Sequence, residues 1–233
     1  MIEGKRAVGD ALSAGVHVHE VFVASDFELE GSWDAPVHRV GDRVIRALSD
    51  AVTPQGIVAV AEMPTAALEM ISGADLSLIL DGVSDPGNAG TLVRTAAAAG
   101  VGVVVFPTGS VDPFSPKCVR AAAGSLFATK IVVDVAAEEA IQAARASGTK
   151  TVATAMAGMA YDECDMTGRV AIVAGSEAWG IEDAHRALCD EVISIPIVGR
   201  VESLNVAVAT GIVLFESLRQ RRLSSAPRRD PSD

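Results

Sequence analysis

The chain has 233 residues, 49% of them apolar but only 4% aromatic, with 30 acidic against 19 basic side chains and a net charge of −11. That apolar fraction excludes disorder for the bulk of the chain and suffices for one medium core or two small ones. The acidic balance argues against a protein that holds nucleic acid by bulk charge alone, while leaving room for a local basic patch.

No stretch reaches the roughly eighteen uninterrupted apolar residues that a membrane span needs. The start, MIEGKRAVGDAL, lacks the apolar centre of a signal peptide, so a cytoplasmic protein is expected. Cys118, Cys164 and Cys189 are odd in number and show no ligand spacing, which predicts reduced, mostly buried thiols. The four histidines show no ligand pattern either. His17 and His19 share a strand face, where a solvated pair is expected and no metal site.

In chain order, GKRAVGDALSAG (4–15) reads as a short helix ending at Gly15, and VHEVFV (18–23) as a strand. VGDRVIRALSD (40–50) reads as a helix with Val40, Val44, Ala47 and Leu48 on one face and Arg39, Arg43 and Arg46 along another. GIVAVAEM (56–63) is a further strand, closing a small α/β unit over residues 1–64. A link over 65–75 follows, with a helix expected at 66–74.

From residue 76 the pattern becomes near-continuous apolar runs alternating with helical stretches. LSLILDGV (76–83), VGVVVF (101–106), TKIVVDV (129–135), KTVATAM (150–156), RVAIVAG (169–175) and EVISIPI (191–197) are the strands. Helices are expected at 91–99, 116–123, 137–147, 180–188 and 203–222. Strands without polar alternation, separated by helices, predict an α/β domain over 76–222: a parallel sheet covered on both faces. Residues 223–233 read as a tail.

Ligands of such sheets bind in loops at the carboxyl ends of the strands, and three of these loops carry unusual polar residues. In DGVSDPGNAGTLVRTAAAAG (81–100), Asn88 suits a turn or cap, and Arg94 among alanines implies a closely packed guanidinium in need of polar partners. A structural carboxylate is the plain alternative for that arginine. In AGSEAWGIED (174–183), small residues admit a ligand close to the backbone, and Glu177 stands just past a strand end. In SIPIVGRVESLNVAVATGIVLFE (194–216), Ser203 suits an N-cap, while Asn205 at the edge of an apolar helix needs specific partners. No dinucleotide fingerprint, P-loop or nucleophile elbow is present.

Together, DPGNAGTLVRTAAAAG, IVAGSEAWGIED and ISIPIVGRVESLNVAVATGIVLFE resemble the three ordered motifs of the SpoU/TrmH family of RNA ribose 2′-O-methyltransferases, over about 76–220. SPKCVRAAAGSLFATKI (115–131) resembles the stretch between the first two motifs. The span from EGKRAVGDAL to TPQGIVAVAE is similar to a short form of the L30e-like substrate domain that precedes such enzymes.

The resemblance implies a C-terminal trefoil knot, a homodimer with active sites drawing on both subunits, and S-adenosylmethionine as cofactor. Ala174, Gly175, Ile195, Ser203 and Leu204 match its pocket; Asn88, Arg94, Glu177, Ser203 and Asn205 match the catalytic polar set. Arg39, Arg43, Arg46, Lys117 and Arg120 are the candidate RNA contacts, a solvated helix face being the plain alternative for the first three. Ribosomal RNA, 23S above all, is the expected substrate. A transfer-RNA enzyme, a non-catalytic RNA-binding factor with this fold, and a small-molecule-binding α/β protein are the alternatives. One departure from the family pattern is Ala178-Trp179, where a glycine commonly follows the glutamate.

Overall fold

The computed structural model describes residues 1–29, 33–49 and 51–225. Its first part runs β1 (Ile2–Glu3), α1 (Lys5–Ser13), β2 (Val18–Ala24), β3 (Val37–Val40), α2 (Asp42–Leu48) and β4 (Ile57–Ala61). The four strands form one sheet in the order β1-β4-β2-β3, with β4 antiparallel to both neighbours and β3 parallel to β2. Val8 and Ala11 of α1 pack on Val21, Val23, Ile57 and Ala59, giving this unit its own small core.

Two details differ from expectation. The short strands β1 and β3 gave no sequence signal, because two and four residues are too few for a periodicity to register. The stretch expected as helix from residue 40 contributes Val40 to β3 and becomes helical only at Asp42, while Asp50 at its end lies outside the described residues. Ile45 then faces the core at 3% exposure, whereas Val44, assigned to the apolar face, is 44% exposed. Arg39 accordingly leaves the arginine stripe. It stands on β3 and donates to the carbonyls of Ser25 (3.3 Å) and Phe27 (3.1 Å).

Thr65 forms an isolated bridge to Ile131, and the expected 66–74 helix is one short 3-10 turn, Leu68–Gly73, that buries Ile71. The chain then runs β5 (Leu76–Asp81), α3 (Pro86–Ala98), β6 (Val103–Val105), α4 (Pro116–Ala122), α5 (Ser125–Ala128), β7 (Lys130–Val132) and α6 (Ala137–Ala146). It finishes with β8 (Lys150–Ala160), β9 (Val170–Gly175), α7 (Asp183–Leu188), β10 (Glu191–Ser194) and α8 (Val206–Ser225). Residues 223–225, expected as tail, are the last turn of α8, and 226–233 lie outside the described residues.

These six strands form a wholly parallel sheet in the order β10-β8-β9-β5-β6-β7. Leu76, Leu78 and Leu80 of β5 pack into one layer with α3 and α8, and Ile79 between them packs into the other with α6. Each such leucine or isoleucine, fully withdrawn from water, contributes about 1.5–3 kcal/mol of burial. Close helix packing needs a glycine in one place: a Cβ on Gly90 of α3 would stand 2.5 Å from the Ala121 Cβ and 2.6 Å from the Cys118 carbonyl of α4. Phe127 packs on both the large core and the N-terminal core, joining the two units.

From β5 the chain builds outward through β6 and β7, then crosses to the other side of β5 for β8, β9 and β10. The order therefore reverses between β5 and β9, at the Asp81–Gly175 end of their ladder. Such a switch point opens a crevice, because consecutive loops leave in opposite directions. One strand end was misjudged. β8 continues to Ala160 and passes through a register break, so that Met159 pairs with Ile193.

Candidate active site at the switch point

The three loops meet here through side chains. Asp85 caps α3, its carboxylate accepting the Asn88 backbone N–H at 2.8 Å, and that bond together with Lys117 holds the carboxyl below its ordinary value. The cap fixes Asn88, whose amide donates to Glu177 Oε1 at 2.8 Å across the switch point. The second Glu177 oxygen accepts the Ser84 N–H at 3.5 Å. Asn205 Nδ2 donates to Asn88 Oδ1 at 3.0 Å, while Asn205 Oδ1 accepts the N–H groups of Ala207 (2.9 Å) and Val208 (3.3 Å). Asn205 is thus the cap of α8, the position read from the sequence as suiting Ser203.

The chain Asn205–Asn88–Glu177 ties the starts of α3 and α8 to the loop after β9, fixing each amide's direction. That loop closes on itself. Ser176 and Gly180 exchange backbone hydrogen bonds at 3.0 and 2.9 Å, with Gly180 at φ +71, where an L side chain is strained.

Beside this network lies an open cavity of about 870 Å³, walled by the middle of β8, the loop after β9 and the stretch from the end of β10 to the start of α8. Gly175, Ile195, Ser203 and Leu204 line it, as do Glu177 and Asn205. Ala174 does not: it is fully buried in β9 beneath the loop, with its side chain in the core. Thr154 to Ala157 also line it. The run looks like an ordinary strand end in the sequence, and only the register break, which leaves 154–158 without a ladder partner on β10, frees it to line the cavity.

Arg94 is not brought into this group. The buried side of α3 is Ala89, Leu92, Val93 and Ala96, so Arg94 faces outward, exposed and without a hydrogen bond or ion pair among the described residues. The expectation of a packed guanidinium is corrected by helix phase: the buried side falls on Leu92, Val93 and Ala96, while Arg94 shares an exposed face with Thr91 and Ala98. Lys117 and Arg120 both stand exposed on α4, Lys117 3.4 Å from Asp85. Arg43 and Arg46 are exposed on α2, with Arg46 4.0 Å from Asp42.

Two further arrangements lie outside the loop network; of these, only the His17–His19 pairing was legible in the sequence. His185 of α7 meets Asp81 at the end of β5, Nδ1 to Oδ2 at 2.9 Å, anchoring α7 beneath the switch point. In the N-terminal sheet, Glu62 joins the exposed His17 and His19, with their ligand-capable atoms all within 4.8 Å of one another. The three cysteines are free; burial pushes the Cys118 thiol up to about 12 and Cys189 to about 11, so neither supplies a thiolate at neutral pH.

A parallel α/β sheet with polar loops tied together at its switch point, above a cavity sized for a nucleoside cofactor, defines the class of this protein. The SpoU rRNA Methylase family matches residues 75–215, and an MRM3-like substrate binding domain matches residues 1–59. The chain belongs to the SpoU rRNA methylase family.

Among relatives, it is 34% identical over 218 residues to the 23S rRNA (guanosine(2553)-2′-O)-methyltransferase RlmP of Bacillus subtilis, covering 92% of this chain and 86% of that protein. It is 40% identical over 145 residues to the 23S rRNA (guanosine-2′-O-)-methyltransferase RlmB of Escherichia coli, covering 62% of this chain and 60% of that one. Among solved structures, the SpoU methyltransferase AviRb of Streptomyces viridochromogenes, in complex with AdoMet, superposes with a TM-score of 0.87 at 29% identity. That match covers 97% of this chain and 91% of AviRb.

Proposed function

We propose that this protein transfers a methyl group from S-adenosylmethionine to a ribose 2′-hydroxyl of 23S ribosomal RNA. The observation that carries the reading is the Asn205–Asn88–Glu177 chain, in which Asn88 ties together two polar side chains, Glu177 and Asn205, that line one cavity. RlmP and RlmB, named for this reaction on 23S rRNA, support the substrate. The cavity fits the cofactor. Its volume of about 870 Å³ lies in the range of small-molecule sites, and Gly175, Ile195 and Leu204 offer apolar walls and close backbone. When bound, the cofactor supplies an already activated sulfonium methyl.

The remaining work is positioning. Asn88 and Asn205 hold the ribose edge in register, and Glu177 keeps the loop after β9 against α3. Ser203, on the cavity wall, orients the bound reactants. Arg94 clamps the phosphate next to the target ribose and stabilises charge developing on the 2′-oxygen; as a base it is unsuited, because a guanidinium scarcely deprotonates.

Arg94 stands outside its own cavity, which supports a homodimer in which it serves the partner's site. Exposed Val208 and Phe215, two turns apart on α8, and Met156 and Met159 at the end of β8 form the apolar surface for that contact. The trefoil knot of this family belongs to the same reading, with α8 returning across α3 after the β10 loop. So does the division into 1–64 for RNA docking, 65–75 as link and 76–222 for catalysis. Arg43, Arg46, Lys117 and Arg120 are the docking cations, and Arg39 acts mainly in tying β3 to the segment after β2 through the Ser25 and Phe27 carbonyls. No described helix is long and apolar enough to cross a membrane, in keeping with a cytoplasmic enzyme on ribosomal RNA.

Mapping 2′-O-methyl sites in total RNA from cells with and without the protein tests this. One site in 23S rRNA is expected to depend on the protein. A dependent site in transfer RNA overturns the ribosomal assignment, and no dependent site anywhere overturns the activity.

A further inference from the structure

Trp179 is 92% exposed, in a chain with only two tryptophans and 4% aromatic residues. It stands at the tip of the closed turn 176–180, where its own N–H donates to the Ser176 hydroxyl at 3.1 Å and the Ser176–Gly180 pair shuts the turn behind it. Two residues earlier, Glu177 is bonded to Asn88, so the indole rides on the same rigid frame as the polar network. It also lines the 870 Å³ cavity at its rim, on the solvent side. A large flat apolar surface held in water on a preorganised loop loses little entropy on binding a flat partner.

We infer that Trp179 is a stacking platform for a nucleobase of the RNA substrate, at or beside the methylated nucleotide. The inference rests on the methyltransferase reading above and adds what grips the base, since the polar network contacts only the ribose edge. A 2′-hydroxyl methylated in line must be turned into the cavity mouth, and its base or its neighbour's then lies unstacked at the rim. Every base presents a π-face to such a platform, so stacking holds the nucleotide whatever its identity.

Two measurements test this on the full-length protein. The first is steady-state methyl transfer to an unmodified 23S rRNA transcript. Trp179→Ala and Trp179→Leu are expected to raise KM for RNA by about tenfold or more, while Trp179→Phe stays within about threefold of the wild type. KM for S-adenosylmethionine is expected to stay unchanged. Equal loss in the Leu and Phe variants, or no loss in Ala, overturns the stacking role; a wild type that transfers nothing defeats the methyltransferase reading instead.

The second keeps the inference decidable in that event. In a Trp33→Phe background, Trp179 fluorescence is expected to be red-shifted in the free protein and quenched by the 23S transcript. Quenching by S-adenosylhomocysteine alone would place the indole on the cofactor, and a concentration-dependent blue shift without RNA would place it against a second copy. Either result overturns the proposal, as does an indole indifferent to RNA.

Discussion

The two sheets of this molecule solve different problems. The six-stranded sheet is parallel throughout, buries both faces, and sends its loops to one edge, where side chains from positions 88, 177 and 205 lock together. The four-stranded sheet is mixed, short-stranded and richly exposed, with Arg43 and Arg46 loosely held on its surface helix. The large unit holds its polar groups in a hydrogen-bonded frame, the kind of positioning that methyl transfer between two bound partners requires. The small unit offers adjustable charge. On the proposed reading, fixed geometry belongs to the catalytic half and spare charge to the docking half.

Substitutions on the two sides are expected to break that contrast differently. Arg94→Ala has the largest expected effect: a loss of about 10²–10³ in kcat for methyl transfer, with S-adenosylmethionine affinity unchanged by calorimetry. Asn88→Ala, which removes the central link of the network, is expected to cost about 10² in kcat with little change in Tm. Equal KM and kcat effects in both variants would erase the distinction between clamp and frame.

On the docking side, reversing Arg43 and Arg46 together to Glu is expected to raise KM for RNA by about tenfold with kcat retained. The slope of log affinity against log salt should fall by about 2. Unchanged affinity would make that helix face merely solvated.

The smallest expected effect concerns the frame at the far edge of the large sheet. Burial pushes the Asp190 carboxyl up, but the Thr151 N–H and hydroxyl and the Arg145 guanidinium outweigh it, leaving the group below its ordinary value. The stability it contributes is therefore present above the unfolded value near 3.8 and lost as pH falls through the lower folded one. Asp190→Asn is expected to lower Tm by about 2–4 °C at pH 7 and to flatten the acid limb of Tm against pH. An acid limb as steep as in the wild type would show that other carboxylates carry it.

Much of the large unit was legible beforehand, since uninterrupted apolar runs such as LSLIL and RVAIV have few other ways to fold. Asn88, Glu177 and Asn205 stood out as polar residues just past strand ends or at helix starts. Their mutual hydrogen bonds were not legible, because separations of 89 and 117 residues carry no local signal. Arg94 was misread for a local reason: the small residues after it suggested close packing, but the face it shares with Thr91 and Ala98 is exposed and the buried face falls on Leu92, Val93 and Ala96. The N-terminal unit was harder, since strands as short as Val37–Val40 look like helix edges, and this drew Arg39 into a stripe it does not share.

The central claim is that the locked loops at the switch point place a ribose 2′-hydroxyl for methylation. Its most direct test is transfer of tritiated methyl from S-adenosylmethionine to an unmodified 23S rRNA transcript, followed by alkaline hydrolysis. The expected result is label confined to one alkali-resistant dinucleotide, because a 2′-O-methyl group blocks cleavage at its own phosphate, and its loss with Asn88→Ala. Label in a mononucleotide, and therefore on a base, would contradict the account.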